Sequence, residues 1–161
     1  MADEIGGKRT GIEALRAFVV RAHRNGYATG DAERDAEELG KRLEYSDGEF
    51  RYVDRYSGSR SFVGHETVFR DGEPVWGMHY HGRPRVEGVD HEPIYAFLRR
   101  ALAADSATSP FRGPPTFEDE RFRYATEVRG DLARFSGTER IECLENGETV
   151  YRGRFGGCLL E

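Results

Sequence analysis

The chain has 161 residues, 37% of them hydrophobic and 33% charged, with a net charge of −5. That is enough for one well-buried domain, residues 1–161 as a single unit, and it describes a soluble protein. No apolar run approaches membrane-spanning length, and no charged-then-apolar leader opens the chain, which argues against export and against a membrane partner. Cys143 and Cys158 form neither a spaced framework nor a metal motif, so a reducing, cytoplasmic setting fits. The 22 arginines against two lysines reflect the source rather than a function.

In chain order, residues 1–9 read as a loose start. A helix is expected from Thr10, where Thr10 and Glu13 form a capping box. Its stripe is Ile12, Leu15, Phe18, Val19 and Ala22, and Asn25-Gly26 should end it. Asp31–Leu43 is weaker, a short or partly ordered helix with Ala32, Ala36, Leu39 and Leu43 on a narrow stripe. Two helices around a glycine turn invite a helix-turn-helix reading. Asp31, Glu33, Asp35, Glu37 and Glu38 against three basic residues would repel phosphates, so no direct nucleic-acid binding is expected.

From residue 50 the chain repeats itself. FRYVDRYSG (Phe50–Gly58) returns as FRYATEVRG (Phe122–Gly130), FVGHETV (Phe62–Val68) as FSGTERI (Phe135–Ile141), and DGEPVWGMHYHG (Asp71–Gly82) as NGETVYRGRFGG (Asn146–Gly157). Each copy reads as three strands: Glu49–Tyr56, Ser61–Arg70 and Pro74–His81, then Arg121–Val128, Ala133–Leu144 and Thr149–Phe155. Asp71-Gly72 and Asn146-Gly147 suit three-residue hairpin loops. Between the copies, Asp90 caps a helix to about Ala104 with Ile94, Phe97, Leu98, Ala101 and Leu102 buried, and Ala104–Pro115 is a linker. The expected fold is α+β: a duplicated α-β-β-β unit, repeat one about 10–89 and repeat two about 90–157. Two antiparallel three-stranded meanders would be related by a pseudo-twofold, with the helices packed on the sheet.

Strand alternation assigns faces. Phe50, Tyr52, Asp54 and Tyr56, then Phe62, Gly64, Glu66 and Val68, then Trp76, Met78 and Tyr80 point to the covered side. So do Tyr124, Phe135, Gly137, Glu139, Ile141, Tyr151 and Phe155. An ionised carboxylate is costly to bury unpaired, and Gly64 and Gly137 should leave hollows beside Glu66 and Glu139. Aromatics around an acid compose a small-molecule pocket. The candidate ligand-binding residues are therefore Glu66, Trp76, Tyr80, Asp54, Tyr52, Tyr56, Glu139 and Tyr151. Such a pocket favours an organic cation. A structural role for each glutamate, fixing the fold through tyrosine hydroxyls, is the alternative.

His65, His79 and His81 share the opposite face. Three histidines there fit a polar surface better than a metal site, because their counterparts include Thr138 and Arg154 and no second-shell acid accompanies them. No phosphate-binding, dinucleotide or nucleophile motif is present, so no catalytic residue, metal or cofactor is assigned. Catalysis would need Glu66, Asp54 or Glu139 to converge as an acid/base pair.

The runs Tyr52-x-Asp54-x-Tyr56-x-Gly58, Phe62-x-Gly64-x-Glu66 and Pro74-x-Trp76-x-Met78-x-Tyr80-x-Gly82 resemble an uncharacterised prokaryotic family, domain of unknown function 5680. Pro110-Phe111-Arg112-Gly113-Pro114 and Phe155-Gly156-Gly157 fit it too, and the resemblance spans about residues 12–157. Some similar members follow an XRE-type helix-turn-helix domain, which implies a regulator-associated, effector-sensing role. This chain departs from them in lacking that domain and in its acidic Asp31–Leu43 stretch. Duplicated effector-binding domains of the gyrase-inhibitor type offer an analogy. The expected function is a non-catalytic small-molecule-binding domain, with a homodimer compatible. An enzyme or a protein-interaction module using His65, His79 and His81 are the rival readings.

Overall fold

A computed structural model of the chain describes residues 2–29, 33–34, 40–104 and 109–161, with side chains at 11–26, 40–104 and 109–161. In order these are α1 (Ala2–Thr29), β1 (Glu33–Arg34), β2 (Lys41–Asp47), β3 (Phe50–Gly58), β4 (Phe62–Arg70) and β5 (Glu73–Pro84). Then come α2 (Glu92–Ala103), β6 (Thr116–Glu118), β7 (Phe122–Asp131), β8 (Arg134–Cys143) and β9 (Thr149–Leu159). The strands form one open sheet in the order β1-β2-β3-β4-β5-β9-β8-β7-β6, antiparallel throughout. The protein is α+β and mostly sheet.

Alternation explains the strands. Phe50, Tyr52 and Asp54 are buried in β3, Gly64, Glu66 and Val68 in β4, and Trp76, Met78 and Tyr80 in β5. His65, His79 and His81 fall on the opposite, exposed face. The first hairpin reaches this parity by another route than a three-residue loop. Arg70 pairs with Glu73, so Asp71 and Gly72 make a two-residue turn with φ of 50° and 89°, the left-handed pair such a turn demands. That turn alone would put Trp76 on the wrong face. A bulge beside Val68 restores parity, since Phe69 pairs with Pro74 and Val68 with Trp76, leaving Val75 as the extra residue. A matching bulge separates Ile141↔Tyr151 from Glu142↔Thr149.

Both helices cover the same face. From α1, Leu15, Phe18, Val19 and Ala22 join Phe50, Tyr52, Val68, Trp76, Met78, Tyr80, Phe135 and Phe155 in one apolar cluster. From α2, Ile94, Phe97, Leu98, Ala101 and Leu102 join Phe122, Tyr124, Ile141, Val150 and Tyr151 in a second. The Asp90 carboxylate accepts the Glu92 N–H at 3.0 Å, and a proline stands in the first turn, which together set the start of α2.

Three expectations are corrected. The helix α1 begins at Ala2 and continues to Thr29, so Thr10 lies inside it and Asn25-Gly26 does not end it. The Asp31–Leu43 stretch is not a helix where it is described: Glu33–Arg34 and Lys41–Asp47 are strands, and residues 35–39 lie outside the described residues. Leu43 and Tyr45 alternate with charged neighbours in β2, and Tyr45 stacks on Phe18 at 5.8 Å. Pairing with β3 outweighs the weak helical spacing. Finally, the linker leads into a further short strand, β6.

Candidate functional site

The covered face carries a polar seam where the two apolar clusters meet. Asp54 and Glu66 sit directly opposite each other on β3 and β4, at 2% and 0% exposure. The Tyr80 hydroxyl donates to both Asp54 oxygens, at 2.8 and 3.0 Å. His23 of α1 places Nε2 2.7 Å from Glu66 Oε2, so one helix is tied to the sheet by a buried polar contact. Burial pushes the Asp54 carboxyl from 3.8 up to about 8, helped by the Glu66 charge and opposed by the Tyr80 hydrogen bond and the Arg112 cation.

Glu139, on β8, is held differently. Its Oε1 accepts from Tyr151 Oη at 2.7 Å and Arg112 Nη2 at 3.2 Å, and its Oε2 from Tyr124 Oη at 2.8 Å and Arg112 Nε at 3.4 Å. Four donors use the acceptor capacity of one carboxylate. Burial, then the Glu139 charge, drives the Tyr124 and Tyr151 hydroxyls well above the ordinary tyrosine range. They remain neutral donors.

Arg112 joins the two groups. Its guanidinium carbon stands 4.4 Å from the centre of the Tyr80 ring while the same group chelates Glu139. The local sequence explains its position. Pro110 and Pro114 restrict the backbone, Phe111 packs on Phe135 at 4.6 Å between ring centres, and Gly113 lies so close to Tyr124 that a Cβ would meet its hydroxyl at 2.6 Å. An aromatic face beside a carboxylate calls for an organic cation, and here the chain supplies one itself, the Arg112 side chain. Sequence reasoning missed Arg112; its signal was the Pro-Phe-Arg-Gly-Pro motif.

The eight sequence candidates separate. Asp54, Glu66 and Tyr80 come together, as do Glu139 and Tyr151. Tyr52 packs in the α1 cluster, and Tyr56 is half-buried at its margin. Trp76 lies apart, its Nε1 donating to the Leu132 carbonyl at 3.2 Å and its ring stacked 5.8 Å from Phe135. It faces Val68, whereas Tyr80 faces Gly64. The hollow expected over Gly64 is filled, since a Cβ there would stand 2.2 Å from the Tyr80 ring. Phe155 fills the place beside Gly137 in the same way.

Open space lies on the other face. A groove of about 1120 Å³ runs over β9 between β5, β8 and the segment Ser57–Val63. Arg83, Arg85, Arg140, Arg152, Arg154 and His81 line it, and Glu139 and Gly153 contribute to its floor. The sequence signal was arginine at alternate positions: Arg152 with Arg154 on one face of β9, and Arg83 near the end of β5 with Arg85 just past it. Among the described residues, no three histidine, cysteine or carboxylate side chains gather as a metal site. Nor is any described helix long and apolar enough to cross a membrane.

Fold and site define an α+β domain built on a single antiparallel sheet with a sealed polar interior. The chain belongs to the family described as Domain of unknown function (DUF5680), whose model matches residues 54–160. The match is narrower than the span expected from the motifs, leaving α1, β1 and β2 outside it. Among curated proteins and among solved structures, nothing matches the chain.

Proposed function

We propose that this is a non-catalytic, cytoplasmic small-molecule-binding domain whose ligand occupies the groove on the open face of the sheet. The observation carrying this reading is the groove itself, with room at least equal to ordinary ligand sites. The aromatic and acidic residues of the covered face are already engaged with one another and with Arg112. That supports a structural role for them and favours a ligand site elsewhere. Acids that line the groove are occupied as well, since Glu127 and Glu142 both bind Arg140, which favours binding over acid/base catalysis. An effector-sensing role accords with the family resemblance.

We also read the sheet as two copies of one unit about a pseudo-twofold. Corresponding pairs support it: Glu66↔Met78 with Glu139↔Gly153, Val68↔Trp76 with Ile141↔Tyr151, and a bulge after each. At the junction Tyr80 pairs with Phe155, its own counterpart. On this reading the groove positions Arg152, Arg154 and Arg83 correspond to Gly77, His79 and Cys158. The fold is thus built without arginine at those places, which favours a functional reason for them.

The test is a thermal-shift screen of metabolites against the wild type and Thr138→Trp, which fills the groove from an exposed position. A ligand at a hundredfold its dissociation constant should stabilise the wild type by about 2.7 kcal/mol and leave the variant unmoved. If no compound stabilises the wild type, or if stabilising compounds act equally on the variant, the proposal is overturned.

A further inference from the structure

Accepting the groove as the binding site, we infer that its ligand is a small molecule carrying two or more phosphate groups, held by Arg83, Arg152 and Arg154 with His81 and Arg85 beside them. The register sets the geometry. Arg83 pairs with Arg152, and Arg152 with Arg140, so three guanidinium side chains lie in one row across β5, β9 and β8. The next row along holds His81, Arg154 and Thr138.

Like charges directly opposite on neighbouring strands destabilise a sheet, and a chain with net charge −5 has acids to spare for neutralising them. It does so elsewhere on this face: Arg42 and Arg51 bind Glu44, Arg123 binds Glu118, and Arg140 binds Glu127 and Glu142. Among the described residues, Arg83, Arg85, Arg152 and Arg154 make no ion pair, and all four are exposed. Four uncompensated guanidinium groups in one groove match three or four negative charges. A single carboxylate would leave most of them unanswered, whereas a di- or triphosphate would not. The planar fork of arginine binds phosphate oxygens in pairs. The groove is lined by arginine, histidine, threonine, serine and valine, with Glu127 and Glu142 engaged by Arg140. Phe62 and His81 are isolated rings rather than a row on which bases would stack, which favours a compact polyphosphate over single-stranded nucleic acid.

The experiment is calorimetric titration of the full chain with inorganic tripolyphosphate, pyrophosphate and a short single-stranded oligonucleotide, at two salt concentrations. Proteins are the wild type, Arg152→Ala/Arg154→Ala, and Arg129→Ala/Arg134→Ala, the last removing the same charge from exposed positions outside the groove. Circular dichroism checks that each variant is folded, and Arg83→Gln serves if the first double variant is not. Expected are binding of tripolyphosphate more tightly than pyrophosphate, about tenfold or greater weakening in Arg152→Ala/Arg154→Ala, and little change in Arg129→Ala/Arg134→Ala. Equal weakening in both double variants would mean diffuse charge attraction and overturn the assignment. Tighter binding of the oligonucleotide would overturn it in favour of nucleic acid. Absence of tripolyphosphate binding, alongside another compound that Thr138→Trp excludes, would overturn the ligand class while leaving the groove as the site.

Discussion

Replacing Arg112 by alanine tests whether the polar seam is a structural device. The guanidinium and the Glu139 carboxylate are 4% and 3% exposed, so the change strands a buried carboxylate with two tyrosine hydroxyls. Removing one partner of a buried pair costs about 3–5 kcal/mol. The two Arg112 contacts, at 3.2 and 3.4 Å, are long for charge-assisted bonds, and the tyrosines remain, so the lower end, about 3 kcal/mol, is expected. Adding Glu139→Gln removes the stranded charge. The double variant should recover about 1–2 kcal/mol relative to additivity. The assay is urea unfolding of all four members of the cycle, repeated with millimolar methylguanidinium, which should stabilise Arg112→Ala and not the double variant. A cost below about 1 kcal/mol, or strict additivity, would refute the pairing as a structural element.

Asp54→Asn should flatten the pH dependence of stability. Because the folded carboxyl titrates near 8 and the unfolded one near 3.8, folding takes up a proton between those values. The group's stabilising contribution is complete below about pH 4 and is lost as pH rises through 8. Urea unfolding at pH 5 and pH 9 should show the wild type losing about 3 kcal/mol more than the variant. Only about three of the units between 3.8 and 8 lie above pH 5, at about 1.4 kcal/mol each, so about 4 kcal/mol is the upper bound; equal losses would refute the claim. Gly64→Ala should cost about 1–3 kcal/mol or more through overpacking against Tyr80, and Gly64→Ala/Tyr80→Phe should not relieve it, since the ring remains. Denaturant midpoints settle the point, and a neutral Gly64→Ala would show that the space is open.

Most of the sheet was legible because alternation is strong where one face is buried: Tyr52, Asp54 and Tyr56 against Arg51, Val53 and Arg55 leave little choice of face. The first hairpin's parity was also legible, although the residue responsible was not. Val75 is an ordinary strand residue, and nothing in its neighbours marks it as the bulge. β2 was lost because Ala32, Ala36, Leu39 and Leu43 fall on helical spacing, while the strand is stabilised by β3, which local spacing cannot report. Glycine facing inward was read as a vacancy. The side chain that fills it, Tyr80, comes from the neighbouring strand, so only the register could show it. Arg112 has no periodic neighbours at all; a residue in a Pro-Gly segment acquires its role only when two distant strands converge on it.

The order in which β5 and β9 adjoin has a kinetic consequence. Each meander closes through hairpins between chain neighbours, and such local pairings form quickly. The β5–β9 ladder joins Trp76 to Leu159 and Pro84 to Tyr151, so it must wait for α2, the linker and three strands to be gathered in. Loop-closure entropy falls on that step. Arg112 can reach Glu139 and Tyr80 together only once it is complete. The seam therefore acts as a latch set late in folding, and substitutions there should accelerate unfolding far more than they slow refolding.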